Sequence, residues 1–504
     1  MQNLIAEVIT LIFSTLIINK ETPIHIQLEN HILNGIKNGT INKNDKLPST
    51  REVSKILGIS RNSVISAYEE LESKNIIMTK RGIGSFIIVQ GKNNISQLNI
   101  DYTYKINNYG NSLRNLDIIK NELPSKRDMI SFKSIAPESS LFNLDDFKRS
   151  LLEAWTYENV NLLNYGYAKG YKPLLEYLSQ YMIEKRVNMN NKDILITNGF
   201  TEAFDIILSS LTQPGDVIIC EEPTHNTALK IMKAYGLKTI QIKMDDEGII
   251  TSLLEKTLKK HKAKFGYLIP SYNNPTGIVT KTARRNEIYK LFMKYEVPII
   301  EDGFNEELLY SSSPICPIAS LCGEGNGVIY IGSLSKILFP GLRIGWIAAD
   351  KGLIDVLESV KRGRNIHSSF LDQSTLYYYL KSGAFNRYLK NVRKYYKEKF
   401  NLVKQMINKY IPYEYITGEG GLHIFIKLKE NIDCRELLQL CYKDGVTFMP
   451  GDIFYNEKDK TSNINNTVRI GFGRVSDSDI KKGIELIGKN IMKLSKSNKS
   501  NVSN

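Results

Sequence analysis

The stretch Ile331-Gly-Ser-Leu-Ser-Lys-Ile-Leu-Phe-Pro-Gly-Leu-Arg-Ile-Gly-Trp346 decides how the larger part of this chain folds. A β-strand pattern, GVIYIGS (327–333), runs into a Ser/Gly turn that presents one lysine, Lys336. Arg343 follows seven residues later. An amine accompanied by hydroxyls and a guanidinium is suited to holding a phosphorylated aldehyde. A lone lysine after a strand is usually only a solvated charge, so the interpretation depends on companion residues.

The companions lie at other predicted strand ends. Asp302 ends VPIIED (297–302), where a carboxylate can keep a pyridine nitrogen protonated. Asn274 lies in NNPTG, where its amide can bond a ring hydroxyl. Gly199-Phe200-Thr201 begin a helix after DILITN, and backbone N–H groups at a helix start suit a phosphate. Each feature alone has an ordinary structural explanation. Together with Lys336 they predict a pyridoxal 5'-phosphate (PLP) site, with the phosphate held by Ser333, Ser335 and Arg343.

From about 128 to 492, apolar strands alternate with amphipathic helices. DVIIC (216–220) and FGYLIP (265–270) are further examples of the strand pattern. Such alternation predicts βα units on a mainly parallel sheet. Ligands of such sheets bind at the carboxyl ends of the strands, which is where the candidate residues lie.

Over nearly all of 128–492 the chain resembles the fold-type I aminotransferases. The resemblance implies an α/β PLP-dependent transferase fold with a mainly parallel sheet, a smaller C-terminal subdomain and a homodimer. It implies that Lys336 forms the Schiff base with PLP, and that Ser333 and Arg343 bind its phosphate. It also implies that Tyr165, in NYGYAKG, binds the partner's phosphate, and that Arg469, in TVRIGFGR, pairs with a substrate carboxylate.

Two positions depart from the pattern of these enzymes. Phe304, in EDGF, stands where a tyrosine commonly contacts the ring oxygen. His225, in EEPTH, stands where an aromatic side chain commonly stacks on the ring, and imidazole is expected to stack more weakly and with a titrating charge. Neither change prevents PLP binding. Both argue against efficient transamination.

The first 89 residues contain short helical patterns that end in a hairpin. Ser49 and Glu52 form a predicted capping box at the start of one helix. Leu57-Gly58-Ile59 is a short turn, and Ser60 caps the next helix. Two short helices around a Gly-containing turn are typical of a helix-turn-helix, although small structural modules share the pattern. The second of these helices presents Arg61, Asn62 and Ser63 to base edges and phosphates.

The hairpin KRGIGSF (80–86) is a predicted β-wing with a cationic tip that includes Arg81. Together with LPSTR and LGISRNSVISAYEEL, it closely resembles the GntR-type winged helix over about 65 residues. That resemblance implies that Ser49, Arg51, Arg61 and the wing around Gly84 contact double-stranded DNA.

The predicted organisation is a winged helix-turn-helix (1–89), a linker (90–127), the aminotransferase-like domain (128–492) and a disordered tail (493–504). The linker is rich in Asn, Ser, Lys and Tyr and has no sustained period. The apolar stretch 4–18 contains Glu7 and is shorter than the roughly 20 residues that a bilayer span needs. We therefore expect it to pack on the first domain, and we expect no membrane anchor.

The formal net charge of +14 fits nucleic acid as a partner but does not by itself establish one. The five cysteines form no CxxC pair and the chain has no His cluster, so neither a disulfide framework nor a metal site is expected. A reducing cytoplasm fits this composition best.

The two domains in one chain resemble the MocR family of bacterial regulators, in which PLP or its adduct with an amine changes how a dimer sits on DNA. The resemblance implies a PLP-dependent regulator that senses PLP or an amino compound through the aldimine at Lys336. Arg469 favours an amino acid as effector, whereas the changes at Phe304 and His225 favour PLP itself. Two alternatives remain open: an active aminotransferase with an accessory winged helix, and a DNA-binding scaffold whose large domain is empty. The sequence leaves activation or repression, and the operator, open.

Overall fold

A computed structural model describes residues 13–19, 22–89, 101–115, 123, 128–303, 305–310, 316–429, 432–456 and 465–502, without the side chains of 115 and 497–502. Phe304 and residues 4–12 of the apolar N-terminal stretch therefore lie outside the described residues. The chain divides into two compact units, Met1–Ile106 and Asn107–Asn504. The division falls within the segment that the sequence predicts as a linker; the predicted boundaries at 89/90 and 127/128 stay predictions.

Among the described residues, the first unit contains three complete helices and a two-stranded wing. Its helices are α1 (Ile24–Lys37), α2 (Thr50–Leu57) and α3 (Arg61–Ser73), and its strands are β1 (Ile77–Lys80) and β2 (Gly84–Ile87). The strands pair antiparallel, with Lys80 opposite Gly84. Leu28, Ile32, Val64 and Leu71 form part of one buried cluster, because each helix repeats an apolar residue at three- or four-residue spacing.

The second unit is built on an eight-stranded sheet in the order β4-β11-β10-β9-β8-β5-β6-β7. Six of these strands run in one direction, and β11 and β7 run antiparallel to their neighbours. The sheet is therefore mixed, in agreement with the expected mainly parallel architecture. The strands are β4 (Lys192–Thr197), β5 (Val217–Glu222), β6 (Lys238–Asp245), β7 (Gly248–Ile249), β8 (Ala263–Leu268), β9 (Ile299–Asp302), β10 (Val328–Ser333) and β11 (Gly345–Asp350).

Helices cover both faces of this sheet, so the strands between them are buried on both sides. The described helices of the second unit, including those that pack outside this sheet, are α4 (Asn108–Asn115), α5 (Leu144–Glu158), α6 (Lys172–Glu184), α7 (Phe200–Leu211), α8 (Asn226–Ala234), α9 (Thr251–Lys260), α10 (Thr282–Lys294), α11 (Lys351–Asn365), α12 (Phe370–Lys381), α13 (Ala384–Tyr410), α14 (Cys434–Lys443) and α15 (Asp477–Val502).

A smaller C-terminal subdomain contains an antiparallel sheet in the order β12-β13-β16-β15 and a short parallel pair, β3 with β14. Its position in the chain agrees with the expected smaller subdomain. The strands are β3 (Ile130–Ser131), β12 (Tyr413–Thr417), β13 (His423–Leu428), β14 (Val446–Thr447), β15 (Met449–Pro450) and β16 (Thr467–Gly471).

Two segments that the sequence predicts to be irregular contain helix. Within the expected linker, α4 packs against α8. At the end of the chain, α15 continues to Val502 through most of the expected disordered tail. The buried series Ile480, Ile484, Ile487 and Ile491 gives this helix an apolar stripe. None of the described helices is both long enough and apolar enough to span a bilayer.

Candidate functional sites

Strand register brings the candidate residues of the second unit to one edge of the large sheet. Asp302 of β9 pairs with Ile331 of β10, and Ser333 of β10 pairs with Gly345 of β11. Gly345 also pairs with Thr197 at the end of β4. The turn that bears Lys336 and the start of α7 therefore lie beside the carboxyl ends of parallel strands, where the sequence placed the site.

The start of α7 and Arg343 form an anion-binding corner. Gly199 is the N-cap of α7, with a φ of +85°. A side chain there would bring its Cβ within 3.2 Å of Nη2 of Arg343. That guanidinium nitrogen donates to the carbonyl oxygen of Asn198 at 2.5 Å. The free N–H groups at the start of the helix and the guanidinium both favour a phosphate dianion here.

Two serines stand on the turn before Lys336. The backbone N–H of Ser335 donates to Oγ of Ser333 at 3.3 Å. The buried Oγ of Ser335 has no hydrogen-bond partner among the described residues. A buried hydroxyl without a partner costs free energy, so a bound group that accepts or donates a hydrogen bond fits this position.

Lys336 is half-buried next to three arginines. Burial and, to a smaller extent, the charges of Arg469, Arg474 and Arg343 together lower the pKa of its amine to about 8. An amine must be neutral to attack a carbonyl carbon, so this environment prepares Lys336 for that role near neutral pH.

Asp302 is buried and accepts a hydrogen bond of 3.0 Å at Oδ2 from the phenol of Tyr267. The pKa of its carboxyl is raised to about 7, chiefly because burial outweighs the lowering effect of the hydrogen bond from Tyr267, with a smaller increase from the charge of Glu306. The sequence analysis missed Tyr267. The available signal was a tyrosine in the apolar strand FGYLIP, because a buried phenol needs a hydrogen-bond partner.

Arg469 and Asn274 contact each other across the site. Nη1 of Arg469 donates to Oδ1 of Asn274 at 2.7 Å, and Nη2 donates to the carbonyl oxygen of Lys133 at 2.9 Å. Its buried Nε has no partner among the described residues. Burial lowers the pKa of the guanidinium to about 9. A buried cation without a carboxylate partner is suited to a bound carboxylate.

His225 is the N-cap of α8, and the centroid of its ring lies 5.3 Å from the ring centroid of Phe200 at the start of α7. Burial lowers its pKa to about 3, and Arg469 and Lys336 contribute to the shift. The expectation of a titrating charge at His225 is therefore wrong: the imidazole is neutral at physiological pH because it is desolvated beside two cations.

The structure does not bring Tyr165 and Thr201 into the buried part of the site. Thr201 is exposed on the first turn of α7. Tyr165 is 82% exposed, and its ring packs edge-on against His367 at 6.0 Å. The role predicted for Tyr165 depends on a second copy of the chain and stays a prediction.

The first unit presents the candidate DNA-binding residues on its surface. The predicted capping box is present: Ser49 Oγ accepts from the N–H of Glu52, and Glu52 accepts from the N–H of Ser49. Gly58 is left-handed at the turn, and Ser60 caps α3. The other predicted residues lie at the start of α2, at the start of α3 and on the wing; Ser63 and Gly84 are half-buried, and Arg51, Arg61, Asn62 and Arg81 are exposed.

Comparison with known proteins agrees with both parts. Residues 137–487 match the family "Aminotransferase class I and II", and residues 26–87 match "Bacterial regulatory proteins, gntR family". Aromatic-amino-acid aminotransferase 1 of Thermococcus litoralis is 32% identical over 73% of this chain and 89% of its own length. The uncharacterized HTH-type transcriptional regulator YdfD of Bacillus subtilis is 29% identical over 94% of this chain and 98% of its own.

Among solved structures, the multiple substrate aminotransferase of Thermococcus profundus superposes with a TM-score of 0.73 at 28% identity, over 79% of this chain and all of that one. The lysine, the buried aspartate, the anion-binding corner and the unpartnered Ser335 hydroxyl fit PLP, which is the cofactor of this domain. The chain belongs to the aminotransferase class I and II family and, with its gntR-type winged helix, is a regulator-like protein of the MocR type.

Proposed function

We propose that this protein is a PLP-dependent, DNA-binding transcriptional regulator whose aminotransferase-like domain senses PLP or an amino compound at Lys336. One observation carries the proposal: side chains suited to PLP meet at one sheet edge in a chain that also has an exposed candidate recognition helix. Relatives such as YdfD, named as regulators, match this chain over both parts.

PLP supplies an aldehyde carbon that takes up a primary amine and a pyridine ring that draws electrons. Lys336 provides the amine, which is partly neutral at physiological pH because its pKa is about 8. Asp302 holds the ring-nitrogen proton when its carboxyl is ionised, and Tyr267 favours that form. Arg343, Ser333, Ser335 and the first turn of α7 orient the phosphate.

We propose an amino acid or related amine as effector because the buried guanidinium of Arg469 is suited to binding a carboxylate. Its Nε is buried without a partner among the described residues, and its Nη1 is held by Asn274. PLP itself is the second candidate. An effector changes DNA binding only if it binds one arrangement of the protein better than the other.

We further propose a homodimer, located in the cytoplasm. Tyr165 and nearby apolar side chains are exposed in the single chain, including Leu152 at 65% and Leu163 at 76%. Exposed apolar clusters of this kind are typical of protein interfaces. A dimer would place two recognition helices on repeated half-sites of an operator. All five cysteines are free thiols, which suits a reducing compartment.

The test is a nuclease footprint of the full chain on the intergenic DNA beside its own gene, with and without PLP. We expect protection of repeated half-sites that PLP alters in the wild type and does not alter in Lys336→Ala. DNA protection that PLP leaves unchanged but amines alter would identify an amine as the effector. Absence of protection in every state would contradict the regulator.

An active aminotransferase is the second candidate function. It is favoured by the presence of Lys336, Asp302 and Arg469 together and by the 32% identity with the Thermococcus litoralis enzyme. Multiple turnovers with common amino donors and 2-oxoglutarate, at about 1 s⁻¹ or faster, would establish this function over regulation without catalysis.

A further inference from the structure

Helix α4 lies in the segment predicted as a linker, packs against α8, and contacts the large domain through the side chain of Tyr109. The Tyr109 ring meets the Tyr235 ring edge-on, with centroids 5.3 Å apart and an interplanar angle of 70°. The Tyr109 phenol donates to Oδ1 of Asp205 at 3.4 Å. Tyr102 and Tyr104, which precede it, are 69% and 88% exposed. Tyr109 is therefore the tyrosine of this segment that contacts the large domain.

Asp205 is the centre of this contact. Its Oδ1 also accepts from the Tyr235 phenol at 2.6 Å, and its Oδ2 pairs with Arg364 of α11. Arg364 in turn donates to Oγ of Ser209 at 2.5 Å. Burial and the charge of Asp205 raise the pKa of Tyr109. The phenol therefore stays protonated and remains a hydrogen-bond donor over the physiological pH range.

The surface that receives Tyr109 belongs to the two helices whose first residues form the cofactor site. Asp205 lies on the second turn of α7, which begins at Gly199 in the anion-binding corner. Tyr235 is the C-cap of α8, whose N-cap is His225. The starts of these helices are in contact through the Phe200 and His225 rings. Displacement of either helix would move a cofactor-binding residue, because helices move as rigid units.

We infer that the Asp205–Tyr235 surface is a docking site for α4, and that docking of Tyr109 and binding of PLP strengthen each other. This inference rests on the proposed function and names how its cofactor site communicates with the segment that leads to the DNA-reading domain. The starts of α7 and α8 would hold PLP, whereas Tyr109 contacts Asp205 on the second turn of α7 and Tyr235 at the end of α8. By thermodynamic linkage, if PLP favours the docked state, loss of docking weakens PLP binding by the same factor.

The test measures the PLP dissociation constant of the full chain, without DNA, from the absorbance of the bound cofactor. We expect Tyr109→Ala to bind PLP about fivefold or more weakly than the wild type. Tyr104→Ala removes an equally large ring from the same segment and is the matched control, with unchanged affinity. Equal PLP affinity of Tyr109→Ala and Tyr104→Ala would overturn the inference.

Hydrogen exchange of residues 108–115 provides a second readout. PLP should slow exchange in the wild type and in Tyr104→Ala but not in Tyr109→Ala; exchange that PLP leaves unchanged in the wild type would overturn the inference. Thermal unfolding of the apo variants tests whether each folds. Should Tyr109→Ala not fold, Tyr109→Phe, which keeps the ring and loses the hydrogen bond to Asp205, takes its place with the same expected direction.

The inference and the proposed function fail in different ways. A wild type that protects no DNA in any state, but whose PLP affinity depends on Tyr109, would contradict the regulator and support docking. If PLP changes the operator affinity of the wild type, and changes it by the same amount in Tyr109→Ala and Tyr104→Ala, the result would support the regulator and contradict docking.

Discussion

The phenol of Tyr267 donates a 3.0 Å hydrogen bond to Oδ2 of Asp302, and both side chains are buried. The bond lowers the carboxyl pKa, which burial alone raises. Because it occupies one carboxylate oxygen, the other would be left for the ring nitrogen of PLP if Asp302 holds the cofactor as we propose. Tyr267 acts through Asp302 and is a positioning residue.

Tyr267→Phe should weaken PLP binding near pH 7 by roughly tenfold, the effect of losing one hydrogen bond to a charged group. The pKa of Asp302 is about 7, and below it the carboxyl is protonated and cannot hold the ring-nitrogen proton. PLP affinity should therefore rise with pH, with a midpoint near pH 7 in the wild type. In Tyr267→Phe the midpoint should lie at higher pH, because the hydrogen bond that lowers the Asp302 pKa is lost. Titrations with PLP from pH 6 to 9 measure both effects.

The control for that experiment is Tyr413→Phe, which removes a phenol bonded to the exposed Asn408 at 2.8 Å. Its PLP affinity and pH profile should equal those of the wild type. Superimposable profiles for Tyr267→Phe and Tyr413→Phe would show that Tyr267 does not position Asp302.

Lys336→Ala should abolish the absorbance of covalently held PLP, since no other amine stands on this turn. In the wild type, the pKa of about 8 lies below the ordinary value of 10.5, and the reacting form is the neutral amine. The rate of PLP incorporation should therefore rise with pH and level off above about 8. Stopped-flow absorbance measures this rate. A rate that keeps rising to pH 10 would refute the shifted pKa of Lys336. The control is Lys351→Ala, which removes an exposed lysine and should incorporate PLP at the wild-type rate.

Gly199→Ala should weaken PLP binding and destabilise the large unit by about 1–3 kcal/mol, the cost of holding a residue with a Cβ in a backbone region that is essentially restricted to glycine. The glycine has a φ of +85°, and a Cβ there would stand 3.2 Å from Nη2 of Arg343. Denaturant unfolding and PLP titration measure the two effects. Gly363→Ala on α11 is the control, because its Cβ meets nothing within 4 Å. If Gly199→Ala matches Gly363→Ala in stability and in PLP affinity, Gly199 is not required for the anion-binding corner.

Arg61→Ala should weaken operator binding by roughly 1–3 kcal/mol if the side chain reads a base edge. The side chain is exposed at the start of α3, with Nε donating to Oγ1 of Thr50 at 3.3 Å. Gel-shift titrations on operator and on scrambled DNA separate the possibilities. A loss on the operator alone indicates base readout, and an equal loss on both indicates a phosphate contact. The control is Arg149→Ala, which removes an exposed arginine of α5. If Arg61→Ala lowers operator affinity no more than Arg149→Ala does, Arg61 is not part of the DNA interface.

Much of the local structure followed from the sequence. The capping box at Ser49, the left-handed Gly58 between two short helices, and Lys336 on the turn after a strand are encoded within a few residues. Local preferences of this kind act over one or two turns of chain and do not depend on distant packing. The prediction of a GntR-type domain joined to an aminotransferase-like PLP domain is confirmed by the families that match each part.

Tertiary structure decided the relationships between distant residues. Arg469 reaches Asn274 across 195 positions of the chain, Tyr267 reaches Asp302 from the neighbouring strand, and Tyr109 reaches Asp205 from outside the sheet. It also decided that His225 is neutral and that the Lys336 amine loses its proton near pH 8, because desolvation depends on what covers a side chain. The sequence by itself determined which groups are present and which strand or turn carries them; the packing of the sheet and its helices determined which groups meet and how they ionise.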